Sequence, residues 1–201
     1  MDIEFEATFT NIDKDKIRKI LTSIGAKLIR SEYLQRRIVL SLPKGHEIKG
    51  GWLRVRDEGD KVTLTLKVVD GDQIENQKEA CLKVDDFEKA EQLLGLIGCK
   101  KRAYQESKRE LWQLGDVEIT IDEWPFLEPY LEIEGKSKES VKEVVDKMEL
   151  DFSKALFCAV DKLYALRYNI SEDVINNQIP ELKFDSKNPF LKEDQLQASS
   201  L

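Results

Sequence analysis

Polar and apolar residues alternate one by one through much of the chain, beginning with MDIEFEATF. Successive side chains of a strand point to opposite faces, so Ile3, Phe5 and Ala7 share one side of an extended segment and Glu4, Glu6 and Thr8 the other. The same two-residue period predicts strands over 26–33, 34–43, 52–59, 61–69, 77–84, 100–107, 108–115, 116–124 and 129–135, with Gly, Pro and Asp clusters between them. A helical period replaces it in four places. Residues 11–25 carry Ile17, Ile20, Leu21 and Ile24 on one stripe, with Asn11 or Asp13 as cap and Gly25 as stop. Residues 85–98 start at Asp85 or Asp86 and turn Phe87, Ala90, Leu93, Leu94 and Ile97 inward. Residues 138–148 and 153–168 are two further helices. About nine strands with two embedded helices predict an α+β fold: a closed or nearly closed antiparallel barrel with helices packed outside. The pattern weakens after residue 169, so residues 1–169 form the expected domain and 170–201 a loosely packed or disordered tail.

The polar face of these strands is unusually charged. Arg54 and Arg56 share a face, as do Thr63, Thr65 and Lys67; Glu79, Cys81 and Lys83; Glu118, Thr120 and Asp122; and Glu132 and Glu134. An antiparallel sheet with one side in water accounts for any one of these strands. It accounts less well for the whole set, in which Glu-x-Glu and Arg-x-Arg pairs repeat. If the sheet closes and helices cover its apolar side, the charged side becomes an interior. Acidic walls facing basic walls then suit a polyanion with a divalent metal. Carboxylate oxygens favour Mg²⁺ or Mn²⁺, and arginine and lysine favour phosphate.

Charge and composition narrow the alternatives. A formal net charge of -7 argues against general nucleic-acid binding, which needs an excess of cations over phosphates. No apolar run is long enough for a membrane span, and the N-terminus lacks a signal-peptide pattern. Three scattered cysteines, Cys81, Cys99 and Cys158, read as reduced thiols of a cytoplasmic protein rather than a disulfide frame. The single histidine, His46, falls in a turn-like stretch and reads as a loop residue. Tyr33, Trp52, Trp112 and Trp124 could each stack on a base, although such aromatics more often pack under helices or pin turns. The helix over 153–168 could form a homodimer interface or, as such faces more often do, pack against its own barrel.

Three stretches together carry a family resemblance: Glu4-Phe5-Glu6, WLRVRDEGDKVTLTLK and IDEWPFLEPYLEIEG. In order and spacing they resemble the CYTH superfamily of class IV adenylyl cyclases and thiamine triphosphatases, also called triphosphate tunnel metalloenzymes, over about residues 1–168. The resemblance implies a tunnel barrel that binds a small-molecule triphosphate end to end with Mg²⁺ or Mn²⁺. It implies hydrolysis to diphosphate and phosphate, or cyclisation of ATP to cyclic AMP and pyrophosphate. Carried over residue by residue, Glu4, Glu6, Glu132 and Glu134 are metal-side carboxylates with Asp122 as helper. Arg37, Arg54, Arg56, Lys67 and Arg109 are phosphate binders, and Lys83 joins them by its face, although the family position is often acidic. Two places where the family carries lysine hold Thr8 and Ser107, which leaves a nucleotide- or polyphosphate-binding module with little or no turnover as the alternative.

Overall fold

The computed structural model describes residues 1–191. Its strands form one sheet: β1 (Asp2–Ile3), β2 (Phe5–Phe9), β3 (Lys27–Ser41), β4 (Gly51–Asp57), β5 (Val62–Val69), β6 (Gln77–Val84), β7 (Lys100–Leu114), β8 (Val117–Glu123), β9 (Tyr130–Gly135) and β10 (Glu181–Leu182). The order across the sheet is β1-β6-β5-β4-β3-β7-β8-β9-β2. Its two ends, β1 and β2, are one N-terminal run interrupted at Glu4. Asp2 and Ile3 pair with β6, and Phe5 through Phe9 pair with β9, both antiparallel. That run brings the two edges together and leaves a nearly closed barrel with little free edge.

β3 and β7 each run 15 residues, where shorter strands broken at 33/34 and 107/108 were expected. Pairing runs unbroken across both expected breaks, Tyr33 with Arg109, Leu34 with Lys108 and Gln35 with Ser107, and the register shifts only elsewhere, between Leu28 and Arg30, between Arg30 and Tyr33 and between Val39 and Leu40. Such irregularities bend a strand without ending it.

The helices are α1 (Lys14–Ser23), α2 (Phe87–Leu96), α3 (Lys138–Lys147), α4 (Val160–Tyr168) and α5 (Glu172–Asn177). Asp13 and Asp86 are the caps of α1 and α2, accepting from the backbone N–H of Lys16 and Lys89. Ile17 and Leu21 of α1 and Val141, Val144 and Val145 of α3 pack on the outward residues Ala7, Ile119, Ile121, Leu131 and Ile133. Phe87, Ala90 and Leu94 of α2 cover Ile38, Leu40 and Val55. Leu93 and Ile97, expected inward, are each 58% exposed: Leu93 lies off the narrow buried stripe, and Ile97 is the cap residue after the last turn. The helix expected over 153–168 begins only at Val160, after a 3₁₀ turn at Phe152–Lys154.

With the apolar faces covered by helices, the charged faces point inward, as the alternation predicted. The segment after residue 169, expected as a loose tail, is packed as far as it is described. Ile175 of α5 and Leu182 of β10 are buried with Trp124, Tyr130, Leu163 and Tyr164. β10 lies parallel to β7 at Tyr104 and Gln105, beside the part of β7 that β8 leaves free. The rest of the expected tail, 192–201, lies outside the described residues.

Candidate functional site

Strand register stacks the inward side chains into tiers. Glu6 on β2 faces Glu134 on β9, and Glu134 faces Glu118 on β8. One step along, Glu132 lies between Thr8 and Thr120. On the other wall Arg37 neighbours Arg56, Trp52 neighbours Lys67, and Lys67 neighbours Glu79. Between the walls is a cavity of about 260 Å³. Glu4, Glu6, Glu132 and Glu134 line it together with Arg37, Arg54, Arg56, Lys67 and Arg109.

The charges hold one another in place. Lys67 Nζ lies 2.8 Å from Glu4 and 3.4 Å from Glu79, and Glu79 also reaches Arg54 at 3.5 Å. Arg109 makes a two-pronged contact with Asp122, both bonds 2.7 Å, and a third bond of 2.6 Å to Glu132. Arg56 meets the buried Glu58 at 2.7 Å. Arg37 donates to Gln35 and to Ser107, and its guanidinium lies 4.3 Å over the Trp124 ring. Arg37, Arg54 and Arg56 each keep a buried Nε–H with no partner among the described residues.

Burial dominates the electrostatics. It pushes Glu6 up to about 7, with Lys67 opposing and Glu134 and Glu4 adding. It pushes Glu134 up to about 7 as well, with Glu4 adding. Glu132 is held well above the usual carboxylate range by burial and by the charges of Glu6 and Asp122. On the basic side, burial and the neighbouring Arg56 bring Arg54 down to about 10. Arg37 is lowered by burial and by Arg54, Arg56 and Arg109. Lys67 is raised against burial by Glu4 and Glu6. These are the perturbations expected where like charges gather in a low-dielectric space.

Nine of the expected site residues thus meet in one cavity. Asp122 stands just behind the lining. It is fully buried, and its oxygens accept from Arg109 and Thr120, so it braces a cation instead of facing the cavity. Lys83 has the right face but is exposed near the end of β6, outside the cavity. Thr8 is 2% exposed, paired to the backbone of Leu156, and does not line the cavity. Among the described residues no three carboxylates are drawn into one metal-coordinating cluster: Glu4 turns to Lys67 and Glu132 to Arg109.

Glu79 and Glu118 also line the cavity and had been given no role. Alternation put both on the charged face, so the signal was present. Glu58 had none, because it follows β4 in a turn and only the β4–β5 hairpin carries it to Arg56. His46 is exposed, and the three cysteines are free.

The CYTH domain family model matches residues 2–164. A Methanocaldococcus jannaschii protein named "Putative adenylate cyclase MJ0240" is 28% identical over 170 residues, spanning 83% of this chain and 96% of its own. Among solved structures, the PH1819 protein of Pyrococcus horikoshii superposes with a TM-score of 0.64 at 23% identity, covering 82% of this chain and 99% of its own. A conserved hypothetical protein of Pyrococcus furiosus gives 0.64 at 22%, covering 78% and 96%. These structural likenesses speak for the fold.

Proposed function

The chain belongs to the CYTH family, and from that membership and its two-signed cavity we propose that it binds and converts a triphosphate with the help of Mg²⁺ or Mn²⁺. One observation carries the reading: five cations and six carboxylates face a single cavity inside the barrel. Phosphate oxygens supply the acceptors that the unpartnered Nε–H groups of Arg37, Arg54 and Arg56 lack. Glu4, Glu6, Glu132 and Glu134 fit a hard divalent cation, since the donors are all oxygen and burial, with neighbouring carboxylates adding, raises Glu6, Glu132 and Glu134. When bound, the metal offsets charge on the phosphate oxygens and on these carboxylates.

The residues of the chain supply grip and orientation. Arg54, Arg56 and Lys67 hold the phosphate chain from the β4–β5 wall. Arg109, aligned by Asp122, reaches it from β7. Arg37 is set by Ser107, Gln35 and the face of Trp124. A chain held straight by these groups presents its γ-phosphorus to water, or its α-phosphorus to a ribose 3′-hydroxyl. In either case catalysis is positioning and electrostatic stabilisation of phosphoryl charge. The name of the M. jannaschii relative is consistent with a nucleoside triphosphate.

The second reading is a module that holds a triphosphate without converting it. It is favoured by Thr8 and Ser107, which are uncharged where the family has lysine and are both buried. Incubation with ATP, thiamine triphosphate and inorganic triphosphate, with Mg²⁺ or Mn²⁺, separates the two. Cyclic AMP or released phosphate supports the enzyme, binding without product supports the module, and the absence of both overturns the triphosphate reading.

A further inference from the structure

Four polar residues lie behind the basic wall and outside the cavity lining: Tyr33, Gln35, Glu58 and Ser107. Gln35, Glu58 and Ser107 are buried and Tyr33 is half-buried. They form one bonded relay whose two ends are cavity arginines. Arg37 Nη2 donates to Gln35 Oε1 at 2.8 Å and to Ser107, and Ser107 donates to the same Gln35 oxygen at 3.1 Å. Gln35 Nε2 donates to the Tyr33 hydroxyl at 3.3 Å, and that hydroxyl donates to Glu58 Oε2 at 3.2 Å. The other Glu58 oxygen lies 2.7 Å from Arg56 Nη2.

The relay runs one way. Arginine only donates, so the Gln35 amide turns its oxygen to Arg37 and its nitrogen to Tyr33. The Tyr33 proton then needs an acceptor on its far side. The carboxylate of Glu58 supplies one while it also pairs with Arg56. Burial opposes the charge on Glu58, but Arg56 and Lys61 outweigh it and keep the carboxyl below its ordinary value. The hairpin that carries Glu58 is held from outside as well. Arg30 donates to the Glu58 carbonyl and to Asp60, both at 2.7 Å, and its guanidinium covers the Tyr33 ring at 3.5 Å.

Backbone register already sets Arg37 and Arg56 side by side on β3 and β4. It does not orient their guanidiniums, which are like charges on long, rotatable stems. The relay engages Nη2 of each, and the Nε–H of each stays buried with no partner among the described residues. Ser107 accepts from Arg37, where a lysine could only donate and would add a third positive charge.

We propose that Glu58, Tyr33, Gln35 and Ser107 are positioning residues, holding Arg37 and Arg56 by Nη2 so that both Nε–H edges face the phosphate chain. The proposal rests on the triphosphate reading. Calorimetric titration of the full chain with ATP and with inorganic triphosphate in Mg²⁺, and with Mn²⁺ alone, tests it. Glu58→Gln leaves the Tyr33 proton without an acceptor and Arg56 without its counter-ion, and should weaken both triphosphates about tenfold. Removing a negative charge behind a cationic wall would by itself strengthen them, so the sign of the change separates positioning from bulk electrostatics. Tyr33→Phe changes no charge and should weaken both about threefold; it decides the question if Glu58→Gln does not fold. Mn²⁺ affinity, read at the acidic wall, should be unchanged in both variants. Unchanged or tighter triphosphate binding in Tyr33→Phe or in a folded Glu58→Gln, or an equal loss of Mn²⁺ affinity, overturns the positioning role and leaves the tunnel reading standing. If the wild type binds neither triphosphate, both are overturned.

Discussion

Affinity for Mn²⁺ should fall steeply as the pH drops through 7, and the slope can be worked from two side chains. Glu6 and Glu134 face each other across β2 and β9, and burial with neighbouring carboxylates pushes both up to about 7. Coordination through oxygen requires both to be ionised, so each bound proton competes with the metal. With both groups near 7, each is about nine-tenths ionised at pH 8 and about nine-tenths protonated at pH 6. Displacing two protons then lowers the apparent affinity about 100-fold between pH 8 and pH 6. Two carboxylates at the ordinary value of 4.5 would lose almost nothing over that range. Glu134→Gln removes one of the protons and one like charge beside Glu6, so the loss should shrink to about tenfold or less, from a weaker starting affinity. Calorimetric or electron-spin titration of Mn²⁺ into wild type and Glu134→Gln at pH 6, 7 and 8 reads both effects. A wild-type affinity independent of pH, or equal affinity and slope in the two proteins, would refute the reasoning.

The same two carboxyls set the pH dependence of the metal-free fold. Their folded values lie above the unfolded value of 4.5, so their contribution to stability is fully present below about 4.5 and is lost as the pH rises through about 7. Thermal melts in chelator at pH 5 and pH 8 should show the drop, Glu134→Gln should reduce it, and an unchanged difference in the variant contradicts the assignment. Asp122→Ala leaves the buried Arg109 with only Glu132 and should cost about 3–5 kcal/mol of stability, measured by denaturant unfolding; a loss below about 1 kcal/mol would mean that water replaces the carboxylate. Thr8→Lys restores the family's charge beside Glu132 and should raise triphosphate affinity or rate. If it changes neither while Arg56→Ala abolishes binding, the position lies outside the phosphate grip.

Much of the site could be read in the sequence because strand alternation is a rule about faces, and the charged face repeats in strand after strand. Glu4, Glu6, Arg54, Arg56, Lys67, Glu132 and Glu134 needed only the period of two and the closure of the sheet. Alternation carries no information about position along the barrel axis. Lys83 shares a face with Glu79, yet two steps further along β6 it has left the cavity. Asp122 shares a face with Glu118, but bidentate capture by Arg109 draws it away from the lumen. Glu58 sits in a hairpin, where neither period operates. The packed segment after residue 169 was hidden for another reason: α5 is six residues long and β10 two, too short for a periodic signal. They are held by the burial of Ile175 and Leu182 against residues distant in the chain.

The energetic logic of the barrel follows from putting this face inside. An apolar interior would be stabilising, yet here Arg37, Arg54, Glu6 and Asp122 are all buried or nearly so. Mutual pairing offsets part of the desolvation: Asp122 and Glu132 hold Arg109 well above its ordinary value, and Glu4 and Glu6 raise Lys67. The offset is uneven across the cavity. Burial lowers Arg37 and Arg54, with neighbouring arginines adding, and raises Glu6, Glu132 and Glu134, with neighbouring carboxylates adding. Each wall therefore carries charge that the chain's own residues do not balance, of opposite sign on the two sides. A ligand that removes both deficits must bring negative charge to one wall and positive charge to the other. A phosphate chain accompanied by a divalent cation does so with a single bound assembly, whereas either partner alone leaves one wall uncompensated.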